Sequence, residues 1–156
     1  MAKVQIIQVT NPAQIADVKN LFVEYLETLK TELGNEIGCA DGQADMQNFP
    51  GNYKALLLAS LDGVPVAACG VKRINAKDCE LVRLYCRPEG RGHGLGRKLT
   101  AAAQDYVKAD GCTRLVLSTE PMMKHAVKLY KSMGFKDIQN YANAPSACSK
   151  YMALEL

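Results

Sequence analysis

The sequence predicts an α+β (mixed α/β) fold around one central sheet, on three observations. Apolar runs of strand length and composition recur at residues 4–9, 54–61, 64–74, 79–86 and 114–119. Three longer stretches, at 12–33, 95–110 and about 121–133, space their apolar residues three and four apart, which is helical. The resulting order interleaves helices with strands, so helices must layer on a sheet to bury their apolar faces.

Each element follows from local chemistry. Residues 4–9 form a first strand. Asn11 and Pro12 mark a helix start, with asparagine as N-cap and proline at the first helical position, where its missing N–H is not needed. Ile15, Val18, Leu21, Phe22, Tyr25, Leu26 and Leu29 make one apolar face, and Gly34 ends the helix. Residues 34–52 are polar, with Gly38, Gly42 and Pro50-Gly51, and read as a loop with room for one short helix. Strands 54–61 and 64–74 meet at Asp62-Gly63, a pair that accepts positive φ and favours a two-residue hairpin. Asn75-Ala76-Lys77-Asp78 turns into strand 79–86, which Arg87-Pro88 closes. The helix of 95–110 carries Leu95, Leu99, Ala102, Ala103, Tyr106 and Val107 on one side and stops at Gly111. A strand at 114–119 and a helix at about 121–133 follow. Lys136 to Ile138 and Lys150 to Glu155 close the chain as a strand pair around a loop at 140–149. There are no repeats or linkers, so 1–156 reads as one domain, long enough to bury a sizeable core.

Between strand 79–86 and helix 95–110 lies Arg91-Gly92-His93-Gly94-Leu95-Gly96. Three glycines let the backbone approach a ligand and turn its N–H groups outward at the positive end of a helix, a natural nest for phosphate. The spacing Gly92-x-Gly94-x-Gly96 is not the G-x-G-x-x-G of dinucleotide-binding folds. Nor does Gly96, followed by Arg97-Lys98-Leu99, continue as a P-loop would.

Arg91, Gly94 and Gly96 spell Arg-x-x-Gly-x-Gly. This resembles the pyrophosphate-binding signature of the GNAT superfamily of acetyl-CoA-dependent N-acetyltransferases, Gln/Arg-x-x-Gly-x-Gly/Ala. Downstream, Ala126-Val127-Lys128-Leu129-Tyr130-Lys131-Ser132-Met133-Gly134-Phe135 resembles the second family signature, Ala-x-x-Leu-Tyr-x-x-x-Gly-Phe. Its logic is local: Ala126, Leu129, Tyr130 and Met133 share a helical face, Gly134 can end the helix in the left-handed conformation, and Phe135 can pack back over the end. The resemblance runs from Lys54 to the C-terminus and more loosely over the first strand and helix. One departure stands out. Many relatives carry a cofactor-touching asparagine where this chain has Met123, and Thr119 or Lys124 are the candidates to replace it.

The resemblance implies a central, mostly antiparallel sheet, flanked by helices, that splays between the strand before the first signature and the strand after its helix. Acetyl-CoA lies in that wedge as cosubstrate. Leu84, Tyr85 and Cys86 border its pantetheine arm, with backbone of Leu84 and Cys86 pairing like an added strand. Arg91, Gly92, His93, Gly94, Leu95, Gly96 and Arg97 hold its diphosphate, and Thr119 and Tyr130 complete the cofactor contacts. The acetyl group passes directly to an amine in a ternary complex, without an acyl-enzyme. Tyr130 matches the tyrosine that protonates the departing thiolate; a tyrosine that only packs or binds the sulfur is the alternative. Glu80 matches a strand position where some relatives carry a catalytic glutamate. It lies six residues before Cys86 and so, by strand alternation, on the same face. The alternatives are a Glu80 paired with Arg83 or Lys72, and an ordered water or a neutral substrate that needs no base. The oxyanion donor is a backbone N–H at Leu84 or Tyr85, where the family often has a β-bulge.

Composition bounds the rest. A 48% hydrophobic, 22% charged chain is that of a globular protein. No apolar run reaches the roughly 20 residues of a membrane helix, and no signal sequence opens the chain, so a cytoplasmic protein with no membrane partner is expected. The six cysteines show no C-x-x-C pair and predict free buried thiols. His93 and His125 lack partners in metal-ligand spacing, and no metal is expected. Residues 1–52 hold three lysines and seven acidic residues, a balance of −4, whereas 53–156 hold sixteen basic and nine acidic residues, +7. The basic part suits a polyanionic cosubstrate, and the acidic part suits either a cationic amine or a solvated face. Scattered basic residues and 6% aromatics give no nucleic-acid platform. By family analogy residues 34–52, Tyr25 and 140–144 wall the acceptor side. The short chain favours a small-molecule amine. Homodimers are common among relatives, a point that stays open. Two rivals remain: an acetyl-CoA-binding module without catalysis, and a nucleotide- or sulfate-binding protein that shares only the glycine-rich turn.

Overall fold

The computed structural model describes residues 2–33, 48–119, 123–141 and 150–156. The expected loops at 34–47 and 142–149, the stop at Gly34 and the helix start at Pro121 lie outside the described residues. Elsewhere the local signals act as expected. The Asn11 side chain accepts the Gln14 N–H at 2.8 Å and caps α1 (Pro12–Leu33). Asp62 and Gly63 both adopt positive φ, +50° and +83°, and so fold β2 (Ala55–Leu61) back on β3 (Val64–Arg73). The remaining elements are β1 (Val4–Gln8), β4 (Asp78–Cys86), a 3-10 turn at Pro88–Gly90, α2 (Leu95–Ala109), β5 (Arg114–Thr119), α3 (Lys124–Ser132), β6 (Lys136–Ile138) and β7 (Lys150–Glu155).

The strands form one sheet in the order β1-β2-β3-β4-β5-β7-β6, antiparallel at every junction but β4/β5. α1 covers one face through Val18, Leu21 and Phe22, which pack on Leu56, Leu58 and Ala68. α2 covers the other through Leu95, Leu99, Ala103 and Val107, against Leu57, Cys69, Leu81, Leu115 and Met152. Alternation along β2 explains the division, since Leu56 and Leu58 face α1 while Leu57 and Ala59 face α2.

Two irregularities shape the site. First, the β3/β4 register changes between Ala68↔Tyr85 and Gly70↔Val82, so β4 carries one extra residue there. Arg83 absorbs it with φ +56°, making a β-bulge. Second, the parallel pairing of β4 with β5 covers only Asp78↔Arg114, Cys79↔Leu115 and Glu80↔Val116. Beyond Glu80 the two strands part, which is the splay that the family resemblance implies.

The bulge overturns one expectation. Glu80 and Cys86 do not share a face, because the extra residue inverts the alternation between them. Leu84 and Cys86 pack on the α2 side, whereas Glu80 stands opposite Lys72, whose Nζ lies 4.9 Å over the Tyr53 ring on the α1 side. A second correction concerns the thiols. Cys69 and Cys86 are free, but Cys79 and Cys112 are joined as a disulfide, Cα–Cα 6.4 Å, across 33 residues of sequence. The parallel register at Cys79↔Leu115 and the turn that closes α2, where the Cys112 N–H bonds Val107 C=O at 2.9 Å, bring the two together. That meeting is tertiary, and no spacing rule announces it.

Candidate active site

The glycine turn has the backbone expected of a nest. Gly92 and Gly94 adopt φ +86° and +69°, and Gly94 is the N-cap of α2. Having no side chain, Gly94 cannot satisfy the first N–H groups of the helix as Asn11 does for α1, so those donors are left without a side-chain cap. Gly96 lies against α3: a Cβ there would sit 3.2 Å from Leu129 Cδ2.

A cleft of about 750 Å³ opens beside this turn, where β4 and β5 part. Arg91 and Gly96 line its nest end, and Leu84, Tyr85 and Cys86 of the outer part of β4 line its length. Tyr25, Thr28 and Leu29 of α1, and Met123, Lys124, His125 and Ala126 at the start of α3, complete the wall. α1 is clamped in place here. Arg87 Nε donates to both Glu24 oxygens at 2.8 and 3.0 Å, Arg87 Nη2 also pairs with Glu24 Oε2, and Nη1 bonds Pro65 C=O at 3.0 Å. The Arg87 hydrogen bond holds the Glu24 carboxyl below its usual value. The Tyr25 and Tyr85 rings stack at 5.7 Å, 10° apart in plane.

The site residues named from sequence separate into groups. Leu84, Tyr85, Cys86, Arg91 and Gly96 meet on the cleft wall. Gly92, His93 and Gly94 are exposed on the turn, whereas Leu95 is buried and points its side chain into the core. Arg97 directs Nη2 to Ser132 Oγ at 2.6 Å, so its side chain ties α2 to α3. Thr119 is 8% exposed and turns its hydroxyl to the Met123 sulfur at 3.9 Å, and Lys124 and His125 are the polar wall residues of that region. Burial raises the Cys86 thiol's pKa, which keeps the sulfur a protonated wall atom and a poor nucleophile.

Tyr130 is 6% exposed and lies beneath the cleft, its ring 5.5 Å from Phe135. Burial pushes its phenol far above the ordinary tyrosine value, with the nearby Tyr25 phenol and Cys69 adding to the effect. Tyr25 lines the cleft and Tyr130 does not. Glu80 stands at the apex of the splay, on the α1 face, and accepts a 2.5 Å hydrogen bond from Tyr141 Oη. The sequence pointed to Lys124 as a stand-in for the family asparagine but gave no cleft role to Thr28, Leu29, His125 or Ala126, nor the contact of Tyr141 with Glu80. Tyr25, Thr28 and Leu29 were findable as an i, i+3, i+4 set; the Tyr141 contact spans 61 residues and left no local trace.

Comparison with known proteins agrees with this geometry. The sequence profile of the Acetyltransferase (GNAT) family matches residues 16–135. The chain is 32% identical over 158 residues to an uncharacterized N-acetyltransferase of Schizosaccharomyces pombe, spanning 99% of this chain and 96% of that one. Its fold matches an acetyltransferase from Streptococcus agalactiae with a TM-score of 0.74 at 24% identity, over 98% of both chains. It also matches yncA from Salmonella typhimurium, a putative acetyltransferase solved with its cofactor acetyl-CoA, at a TM-score of 0.70 and 18% identity over 97% of this chain and 93% of that one. A glycine nest without a side-chain cap, a sheet that parts after Glu80, and a profile match across most of the length converge: the chain belongs to the acetyltransferase (GNAT) family and is an enzyme of the acyltransferase class.

Proposed function

We propose that the protein transfers an acetyl group from acetyl-CoA directly to a primary amine of a small acceptor in a ternary complex. The observation that carries this is the junction of nest and splay. The N-terminus of α2, capped by no side chain, meets at Gly96 a cleft that the outer part of β4, the start of α3 and Tyr25 of α1 line. The diphosphate accepts hydrogen bonds from residues 92–97, with Arg91, Lys124 and His125 around it. Pantetheine follows Leu84 to Cys86, and the thioester comes to rest at the bulge, where the extra residue of β4 aims a backbone N–H at the carbonyl oxygen.

The acceptor approaches from the α1 face. Glu80 takes its proton as the neutral nitrogen attacks the thioester carbon. When the carbon–sulfur bond breaks, the thiolate receives a proton from Tyr130, yielding the amide and coenzyme A. Burial keeps the Tyr130 phenol protonated before transfer, so the proton is present when the thiolate forms. Acceptor binding next to α1 fits the acidic character of residues 1–52.

A thiol-release assay with acetyl-CoA over a panel of small amines, amino acids, aminoglycosides and peptides tests the proposal. At least one small amine is expected to turn over. Tyr130→Phe is expected to lower kcat at least ten-fold with little change in the acetyl-CoA KM. An unchanged kcat removes the acid role. Tight acetyl-CoA binding with no turnover on any amine favours a binding module instead.

A further inference from the structure

The two arms of the splayed sheet are tied together at its apex, on the face opposite α2. Tyr141 follows β6 and so belongs to the β5-β7-β6 arm, whereas Glu80 belongs to β4 in the other arm. The Tyr141 Oη–Glu80 Oε2 hydrogen bond crosses between them. Tyr141 is held for this contact. Its ring meets Tyr151 edge-on at 5.6 Å, 87° between planes, and the Ser118 hydroxyl hydrogen-bonds its phenol. Ser118 pairs with Tyr151 in the β5/β7 ladder, two residues beyond Val116, the residue that pairs with Glu80. Ser118, Tyr151, Tyr141 and Glu80 therefore form one connected cluster where the strands begin to part.

We propose that Tyr141 is a positioning residue for Glu80, fixing its carboxylate at the apex and holding it ionised, ready to accept the acceptor's proton. The proposal rests on the reading of Glu80 as base. A phenol that donates to a carboxylate favours the charged form. Burial and the Glu80 charge push the Tyr141 phenol far above its ordinary value, so it is a donor at every working pH. On the other arm, Lys72 stands directly across from Glu80 on β3 with its Nζ over the Tyr53 ring, and the Tyr53 hydroxyl accepts Arg83 Nε at 3.0 Å. Lys72 and Arg83 both stand on the β3/β4 side. Tyr141 reaches Glu80 from the opposite arm.

Tyr141→Phe keeps the ring on Tyr151 and deletes the hydroxyl that donates to Glu80 and accepts from Ser118. The test compares wild type, Tyr141→Phe and Glu80→Gln in kcat/KM against pH, and follows Glu80 directly by carbon-13 carboxyl NMR in wild type and Tyr141→Phe. Loss of a hydrogen bond to a charged group predicts that the limb on which rate rises with pH moves up by about one unit in Tyr141→Phe. The Glu80 resonance should titrate higher by the same amount, with the acetyl-CoA KM unchanged. An unmoved Glu80 titration in a folded Tyr141→Phe variant overturns the proposal, whatever the activity. If Glu80→Gln retains the rising limb, the base reading fails separately, and with it the catalytic purpose assigned to Tyr141.

Discussion

Asp78 is 8% exposed, yet it is charged, because Arg114 grips it from β5: Nε to Oδ1 at 2.9 Å and Nη2 to Oδ2 at 3.0 Å, with Asn75 Nδ2 on Oδ2 at 3.2 Å. The Arg114 hydrogen bond outweighs burial and holds the carboxyl below its usual value. A folded-state pKa below the unfolded value of about 3.9 means that the stabilisation is complete above that pH and is lost as pH falls through the lowered folded value. Urea unfolding should therefore show a loss of stability from about pH 5 downward that is smaller in Asp78→Asn. At pH 7 the same variant should be less stable by about 2 kcal/mol, since Arg114 keeps its charge and loses its partner. Equal pH slopes for the two proteins would show that Asp78 titrates alike folded and unfolded. At this scale the sequence was informative about identity and less so about direction. Tyr130 and Glu80 stood out by their position in signature and strand, but the face Glu80 occupies depends on the bulge at Arg83.

Among elements, α3 shows how a signature encodes geometry. Its end closes with the Gly134 N–H on Lys131 C=O at 3.1 Å and the Phe135 N–H on Tyr130 C=O at 3.0 Å, Gly134 at φ +98°. This paired arrangement satisfies the last carbonyls and lays Phe135 against Tyr130, so the same glycine that stops the helix sets the buried phenol. Gly134→Ala should cost about 1 to 2 kcal/mol from the left-handed backbone alone, because a Cβ there meets Leu154 only at an ordinary 3.4 Å. Differential scanning calorimetry should show a lower Tm and, if Tyr130 shifts with the turn, a lower kcat. No change in Tm would mean that the turn relaxes without strain. α2 closes in the same way at Gly111, φ +88°, with the Gly111 N–H on Lys108 C=O at 3.2 Å and the Cys112 N–H on Val107 C=O at 2.9 Å.

For the whole molecule, the sheet is two arms joined at one short parallel seam of three residue pairs. Among the described residues, the outer halves of β4 and β5 do not pair with each other, and a cleft of about 750 Å³ takes the place of the ladder. A ligand seated in the cleft binds only the folded chain and should stabilise it. At a hundred-fold excess over Kd, acetyl-CoA should add about 2.7 kcal/mol and raise Tm by roughly 5–10 °C. The same concentration of ATP should do much less, and an equal shift with ATP would favour a general phosphate-binding protein over the proposed transferase.

The element order, the hairpin at Asp62-Gly63, the cap at Asn11, the glycine turn at 91–96 and the helix stop at Gly134 are legible in local chemistry, since each depends on residues within a few positions of one another. Long-range contacts fix the rest. The extra residue in β4 that turns Glu80 away from Cys86, the meeting of Cys79 with Cys112, the burial of Tyr130 and the reach of Tyr141 across the splay all join segments far apart in the chain. Such contacts depend on strand register and on which arm of the sheet a segment enters, and the periodicity of one segment does not carry that information.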